Sequence, residues 1–396
     1  MKKSERDEYS KTYGLYKFKR PLPSEIESAM GLVGESILFK KLISADYERF
    51  YDPIKIPEEG DWLMTHKEYG QTYNEYIQKD CVQVDPNHNV IYIHRFSSND
   101  DLIKGDLFQN VIILLEAFFT GMKVVLYDEG TNYFNNDINN EIDNENNIEN
   151  NNNENNNNNE NNIENNNNNI ENNENNIENN NIDNNNNNLI KNEQNEKMAI
   201  NADQLLEKLK LEIPEDAYCV FGIIDNDLYT ENLTPNGKRV IKATYCKRSI
   251  QDRVAIFSLA RFDPFFNFNG KINNLSKEQK YKISLILLKR ICSAITREIC
   301  YMFGMKNCTF LCCCMNGTSV TEFDNKQIEL CPICLRKLVT NIKANGEDIK
   351  SYRVKKPMIV YNRFVKMRDA LENFSGLYEN EIKWFDARID FLKGLI

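Results

Sequence analysis

Histidine is scarce in this chain of 396 residues, which contains only His66, His88 and His94. None occurs between Arg95 and Ile396. A catalytic group drawn from that long segment therefore contains no imidazole to act as a base or as a metal ligand. This absence rules out serine or cysteine hydrolase chemistry built from neighbouring residues in that part of the chain.

Long apolar runs are also missing. The stretch Val111 to Phe119 falls well short of the roughly 18 residues that a membrane span needs, and Glu116 interrupts it. The N-terminus is charged and no apolar core follows it, so it does not resemble a secretory signal. Eleven cysteines without an export signal indicate a reducing compartment. We expect a cytoplasmic or nuclear protein that is not secreted.

The acidic charge of the chain is concentrated in one segment. The formal net charge is -10, but Asn135 to Ile190 holds 12 acidic residues and no Lys or Arg. The remainder has 47 acidic against 49 basic residues and is near neutral. Nothing in this balance favours binding to nucleic acid or to a membrane. We expect a monomer whose partner is a peptide or protein.

The composition divides the chain into three parts. Residues 1–130 and 198–396 read as two halves of one globular unit, and 131–197 is an Asn-rich insertion. The insertion lacks the apolar surface needed to offset chain entropy, which predicts disorder. The simplest interpretation is a neutral insertion in a surface loop. The alternative is a polar segment that self-associates through β-structure.

The ordered parts mix strands and helices. In the first half, Val90 to His94 alternates like a strand, Asp106 to Thr120 is apolar at helical spacing, and Met122 to Tyr127 reads as a buried strand, so a βαβ unit is predicted. In the second half, Ser276-Lys277-Glu278-Gln279 is a capping box that opens a helix reaching about Phe303. The further predicted elements are a helix from Gln204 to Lys210 capped by Asn201, strands Ala217 to Ile224 and Val254 to Phe262, and helices Tyr361 to Glu372 and Glu381 to Leu392. The fold class is α/β, or mixed α+β.

Seven of the cysteines lie between Cys300 and Cys334. Cys308, Cys313, Cys331 and Cys334 form the pattern C-x4-C followed by C-x2-C, which predicts a tetrahedral zinc site made of sulfur only. Such a site is structural, because four thiolates leave no open position for water. Spacing alone does not decide which residue of the trio 312–314 is the ligand.

The segment from Arg297 to Cys334 resembles the archaemetzincin (archaelysin) family of zinc metallopeptidases. That family carries H-E-x-x-H-x-x-G-x-x-H-C-x4-C-x-M, then C-x2-C after a gap. This chain keeps the family's residues at seven positions of the pattern. They are Glu298, Gly304, Cys308, Cys313, Met315, Cys331 and Cys334. The resemblance implies that Cys313 is the ligand in the trio and that Met315 is the Met-turn residue beneath the active site.

Further segments resemble family signatures in the expected order, and together they cover most of the chain outside the insertion. They are Glu59-Gly60-Asp61-Trp62, Glu116 to Gly121, Asp225 to Tyr229, Ser258 to Phe262 and Cys334 to Leu338. The implied fold is metzincin-like: a mixed twisted sheet, a long active-site helix and a C-terminal subdomain stabilised by the four-cysteine zinc site.

All three histidine positions of the family motif differ here, since they are occupied by Arg297, Tyr301 and Asn307. A catalytic zinc needs three neutral imidazoles and an open place for water. Arg297 stays protonated and offers no lone pair, and the other two are poor ligands. A second, catalytic ion is therefore not expected, and Glu298, at the general-base position, would be idle.

Two structural expectations follow for this helix. Glu298 becomes a solvated or ion-paired carboxylate, and Arg297 lies over the ring of Tyr301 at i, i+4. We further hypothesise that Arg297 supplies a fixed positive charge where family members hold the metal, a charge that suits an acidic side chain or a C-terminal carboxylate. A basic stretch from Lys238 to Arg253 is interpreted as an exposed hairpin face, with an acidic-partner patch as the alternative.

The sequence thus favours a catalytically degenerate metallopeptidase homologue with one structural zinc ion and a peptide-binding cleft. The alternative is an active, aminopeptidase-like metallopeptidase that uses non-standard metal ligands.

Overall fold

A computed structural model describes residues 18–58, 60–82, 84–96, 105–127, 199–234, 236–264, 266, 276–318, 322–323, 326–342, 349–374 and 376–396. The Asn-rich insertion lies outside these residues, so the prediction of its disorder stays a prediction. The two halves that flank the insertion pair in one sheet, since the strands of residues 90–127 are hydrogen-bonded to those of 217–258.

The strands of the described residues form a five-stranded and a three-stranded sheet. In chain order they are β1 (Val90–Phe96), β2 (Lys123–Tyr127), β3 (Ile200–Asn201), β4 (Ala217–Ile224), β5 (Leu228–Leu233), β6 (Arg239–Thr244), β7 (Cys246–Ser249) and β8 (Val254–Ser258). The larger sheet has the order β2-β1-β4-β8-β7; its pairs are parallel except for β7, which runs antiparallel to β8. The smaller sheet has the order β3-β5-β6. The class is therefore mixed α/β, as predicted.

Helices cover the larger sheet and build the C-terminal part of the fold. They are α1 (Pro23–Met30), α2 (Ile37–Ser44), α3 (Tyr47–Phe50), α4 (Trp62–Thr65), α5 (Tyr73–Glu75, continued by a π-turn at Tyr76–Asp80), α6 (Gly105–Phe118), α7 (Ala202–Lys210), α8 (Lys277–Met302), α9 (Pro332–Asn341), α10 (Ile349–Glu372) and α11 (Glu379–Lys393). None of these helices, within the described residues, is both long and apolar enough to cross a membrane.

The central strand β4 is buried along its whole length because both of its faces are covered. Tyr218, Phe221 and Ile223 join the main core with α6 and α8. Val220 and Ile224, on the opposite face, pack in a smaller core with α7. A continuous apolar strand is the expected signature of this two-sided burial.

The predicted βαβ unit is confirmed, since β1 and β2 pair in parallel on either side of α6 in the chain. The capping boundary of α8 is confirmed as well: Ser276 accepts a hydrogen bond from the Gln279 backbone N–H at 3.2 Å. The helix ends before Gly304, which has φ 79° and lies so close to Asp80 that a Cβ would stand 1.7 Å from its carbonyl oxygen. Glycine is required there by both the backbone angle and the contact.

Two predicted boundaries were wrong. The strand expected to reach Phe262 ends at Ser258 and continues as a 3-10 turn over Ala260–Phe262. Ser258 Oγ accepts a hydrogen bond from the Ala260 N–H at 3.2 Å, which stabilises this turn. Helix α10 begins twelve residues earlier than predicted and contains Pro357, although proline normally disfavours a helix interior.

Candidate functional site

The four predicted cysteines meet at one buried point. Cys308 and Cys313 lie on the loop after α8, Cys331 caps the N-terminus of α9, and Cys334 lies in its first turn. Their sulfur atoms all lie within 4.8 Å of one another, and all four residues are buried. Pro332 at the first helical position favours the start of α9 and thereby fixes the two C-x2-C sulfurs on one side of the helix end.

The environment of these sulfurs suits a divalent cation. Cys313 Sγ accepts hydrogen bonds from the backbone N–H of Cys331 at 3.2 Å and of Met315 at 3.4 Å, and such bonds stabilise a thiolate. Hydrogen bonds from Cys313 and the other two sulfurs lower the pKa of Cys308 well below its ordinary value, whereas burial raises the pKa of Cys331. Without a metal ion, the cysteines of the cluster therefore differ in how easily each thiol loses its proton. A bound cation would stabilise all four thiolates together.

The remaining two cysteines of the trio 312–314 face elsewhere. Cys312 is partly exposed, and its Sγ donates to the Pro53 carbonyl oxygen at 3.4 Å. Cys314 is buried, with its Sγ 3.9 Å from the Ser293 carbonyl oxygen. The structure therefore brings Cys313 into the cluster, in agreement with the expectation from the family pattern.

The three positions that the motif reserves for histidine are also brought together, but through hydrogen bonds. Asn307 Oδ1 accepts a hydrogen bond from Tyr301 Oη and a longer one from Arg297 Nη2 at 3.4 Å. The guanidinium of Arg297 lies 5.3 Å from the centre of the Tyr301 ring, as predicted for an i, i+4 pair on a helix. The three side chains thus contact one another in the place where the motif needs three imidazoles.

Glu68 and Trp62 extend this network from the N-terminal half. Glu68 Oε1 accepts hydrogen bonds from Asn307 Nδ2 and, at 2.6 Å, from Trp62 Nε1. The indole of Trp62 packs directly on Gly317, where a Cβ would stand 2.3 Å from the ring. The segment 62–68 is thereby tied to the loop that follows α8.

Glu298 is closed off by a cation from the edge of the sheet. Its side chain is 1% exposed and forms an ion pair with Arg248 of β7. The guanidinium of Arg248 lies 4.2 Å from the centre of the Tyr301 ring, so Tyr301 contacts two arginines. Of the two states expected for the Glu298 carboxylate, solvated or ion-paired, the structure shows the ion-paired one, and the carboxylate is buried.

The catalytic-zinc positions do not fit a metal ion. Burial works to lower the pKa of Arg297, but its interactions with Tyr301 and Glu298 outweigh burial and raise it, so the guanidinium stays charged. Burial raises the pKa of Tyr301, which keeps the phenol protonated. Within the described residues, the four cysteines are the only cluster of three or more His, Cys, Asp or Glu side chains placed to share an ion.

The three histidines do not converge on this network. His66 is exposed and stacks on Trp62 with ring centres 3.4 Å apart. His88 pairs with Asp85 at the surface. His94 is buried beside Phe96 in β1. Of the three, His66 is linked to the residues around Asn307 through its contact with Trp62.

Met315 is hydrogen-bonded to the cysteine cluster. It is fully buried, its carbonyl oxygen accepts the Cys308 N–H at 2.8 Å, and its own N–H donates to Cys313 Sγ. The turn that carries Met315 is therefore hydrogen-bonded to two residues of the cysteine cluster. The Met-turn role that the resemblance implies for Met315 stays a prediction.

Sequence reasoning missed Arg248 and Glu68. Arg248 belonged to the basic stretch that was interpreted as an exposed hairpin. That interpretation is confirmed for β6, which is exposed along most of its length, but it is wrong for Arg248, which turns toward α8. Glu68 carries no motif, and only the tertiary fold places it beside Asn307, 239 residues further along the chain.

The fold and the site define a class: a mixed α/β protein with a long helix, α8, that leads into a buried four-cysteine centre. No family model matches the sequence. The chain is 26% identical to Archaemetzincin-2 of Pongo abelii over 306 residues, which cover 73% of this chain and 69% of that protein. It is 34% identical to Archaemetzincin-2 of Macaca fascicularis over 161 residues, a match that spans 37% of this chain and less than half (43%) of the macaque protein.

Among solved structures, the archaemetzincin of Methanopyrus kandleri aligns with a TM-score of 0.34 and 16% identity, covering 65% of this chain and 97% of that one. The sequence similarity to the two Archaemetzincin-2 proteins supports the resemblance of this chain to the archaemetzincin family.

Proposed function

We propose that this chain is a catalytically degenerate member of the archaemetzincin family that binds peptides without cleaving them. The observation that carries the proposal is the closed hydrogen-bonded group formed by Arg297, Tyr301 and Asn307. A guanidinium, a neutral phenol and an amide offer no set of three lone pairs to a zinc ion. Glu298, which would need a metal-bound water as its substrate, is held instead by Arg248.

The four-cysteine cluster is the proposed place of a single structural zinc ion. The support is chemical: four buried sulfurs within 4.8 Å match the all-thiolate set that Zn2+ favours in closed structural sites. When bound there, zinc would tie the loop of Cys308 and Cys313 to the N-terminus of α9. Because all eleven cysteines are free thiols, we also propose a reducing compartment, the cytoplasm or nucleus, as the location.

The peptide-binding part of the proposal rests on a cavity beside the Met315 turn. It has a volume of about 300 Å³ and lies between Asp52, Ile54 and Leu63 on one side and Cys312, Gly317 and Lys326 on the other. A cavity of this size accommodates a few residues of an extended peptide. We propose that the chain binds such a ligand as a monomer.

Metal content and turnover test the proposal directly. We expect one zinc ion per chain by elemental analysis of the purified protein, and no cleavage of a peptide library above the background of a metal-free buffer. The variant Glu298→Gln is expected to match the parent in both measurements, because Glu298 faces Arg248 and not a metal-bound water.

A contrary result is equally clear. Two zinc ions per chain, together with peptide cleavage that disappears in Glu298→Gln, would establish the alternative of an active metallopeptidase with non-standard ligands. Near-ultraviolet circular dichroism of the variant serves as the control that its fold is unchanged.

A further inference from the structure

The cavity beside the Met315 turn contains a buried lysine, Lys326, that forms no ion pair with a carboxylate of the described residues. Exposed residues such as Asp52 and Lys55 stand at its mouth, and buried ones such as Gly317, Thr318 and Lys326 form its deep end. Lys326 is 8% exposed. A lysine this deep in a protein is normally paired with a carboxylate, since an uncompensated buried charge is costly.

Among the described residues, the side chain of Lys326 makes one hydrogen bond, to the carbonyl oxygen of Asn316. An ammonium group has three N–H donors, so two remain for a group in the cavity. No carboxylate oxygen of the described residues lies within 4.0 Å of its Nζ, and it makes no hydrogen bond to a cysteine sulfur. The neighbouring thiolates therefore do not take the place of a direct partner.

A second buried cation lies behind Lys326. Arg297 is 3% exposed, forms no ion pair with the described residues, and has two nitrogen atoms, Nε and Nη1, without a hydrogen-bond partner. Burial and then the charge of Arg297 lower the pKa of Lys326 to about 7. Cys314, Cys313 and Glu322 raise the pKa of Lys326 again, but by less than burial and Arg297 lower it. Two basic groups that form no ion pair among the described residues thus lie in one poorly solvated region, which favours an entering anion.

The acids that line the cavity do not neutralise these basic groups at its deep end. Asp52 is exposed at the mouth. Asp61 Oδ2 already accepts the backbone N–H of Glu58 at 2.6 Å. Glu322 is only partly buried, and its charge raises the pKa of Lys326 by less than Arg297 lowers it. The charge of the cavity thus changes from mixed at its mouth to positive at its floor.

We infer that the deep end of this cavity binds the carboxylate group of a peptide, with Lys326 Nζ as the direct donor and Arg297 as the cation behind it. The inference deepens the proposed function and rests on it. Arg297 itself is closed from solvent, so Lys326 and not Arg297 contacts the ligand. The carboxylate can belong to the C-terminus of the peptide or to an acidic side chain.

Calorimetric titration of the full chain with matched peptides distinguishes these sources. The probes are trialanine, its C-terminal amide, and acetyl-Ala-Glu-Ala-amide. A C-terminal carboxylate site binds trialanine at least tenfold more tightly than both amides. A site for acidic side chains binds the glutamate peptide at least tenfold more tightly than trialanine amide. Equal affinity for all three peptides would overturn the inference while leaving non-catalytic peptide binding intact.

The variants Lys326→Gln and Lys326→Arg test the residue. We expect the first to abolish the discrimination between carboxylate and amide, and the second to retain part of it. Lys306→Gln is the matched control, because Lys306 is an exposed lysine paired with Asp80 outside the cavity. If Lys326→Gln lowers the zinc content but leaves the discrimination unchanged, then Lys326 only balances the thiolates and the inference fails. Cleavage of trialanine by the parent protein would instead contradict the proposed function.

Discussion

Replacement of Cys331 by serine is expected to release the zinc ion and to unfold the protein under conditions in which the parent is native. Cys331 is fully buried and joins the loop of Cys308 to the first turn of α9. Structural zinc sites of this kind contribute apparent binding free energies of about 10–16 kcal/mol, which is comparable to the whole stability of a domain at about 5–15 kcal/mol. Loss of one thiolate ligand removes a large part of that contribution, and it leaves three buried sulfurs with no cation to stabilise their charge.

Elemental analysis and denaturant unfolding followed by circular dichroism check this result. Cys312→Ser is the matched control, since Cys312 lies next to a ligand but its sulfur faces Pro53. We expect that variant to keep one zinc ion per chain and to change the free energy of unfolding by no more than about 0.5–1 kcal/mol, as for other partly exposed positions. If Cys331→Ser retains stoichiometric zinc, or if Cys312→Ser loses it, the assigned ligand set is wrong.

Replacement of Arg248 by methionine is expected to lower the free energy of unfolding by about 3 kcal/mol, the lower end of the range for breaking a buried ion pair by removing one partner. We expect the lower end because only one partner of the pair is fully buried: the Glu298 side chain is 1% exposed, but the Arg248 side chain is 34% exposed and partly solvated. Methionine retains much of the contact with the Tyr301 ring. The main effect is therefore that the carboxylate of Glu298 is left without its cation inside the protein.

A second substitution identifies the cause. Adding Glu298→Gln to Arg248→Met removes the uncompensated charge and is expected to recover more than half of the lost stability. Lys247→Met is the neighbouring control: Lys247 pairs with Asp203 at the surface, and such pairs contribute about 0–1 kcal/mol. Equal effects of Arg248→Met and Lys247→Met on the unfolding midpoint would contradict a buried role for the pair Arg248–Glu298.

The local elements were predictable because their signals are local. The capping box at Ser276, the N-cap at Asn201 and the apolar run of β4 all depend on residues within one turn or one strand. The predicted helix boundaries were wrong where contacts with residues distant in the sequence decide how far a helix extends. Helix α10 extends back past Pro357, and the part of it nearest the proline includes Lys356, which pairs with Glu35 of the N-terminal segment. The first helices, α1 and α2, were not predicted at all.

The cysteine cluster was predictable to within the choice among 312–314, and the resemblance to a family narrowed that choice to Cys313. Spacing limits which sulfurs can reach one ion, but adjacent residues on a turn point in different directions. Only the fold shows that Cys312 turns toward Pro53 and Cys314 toward the backbone of Ser293. The role of each position as a ligand remains the prediction that the zinc measurements test.

By itself, the sequence determined that no imidazole is available after Arg95 to bind a catalytic zinc ion. It also determined that Arg297 and Tyr301 meet on one face of a helix. Both follow from composition and from the helical period, which act over a few residues. Only the tertiary structure decided that Arg248 neutralises Glu298 and that Glu68 completes the group around Asn307. The physical reason is that the partners in these two pairs lie 50 and 239 residues apart in the sequence. No local pattern can bring their charges and hydrogen-bonding groups together. The packing of a sheet edge and of the N-terminal segment against α8 does so.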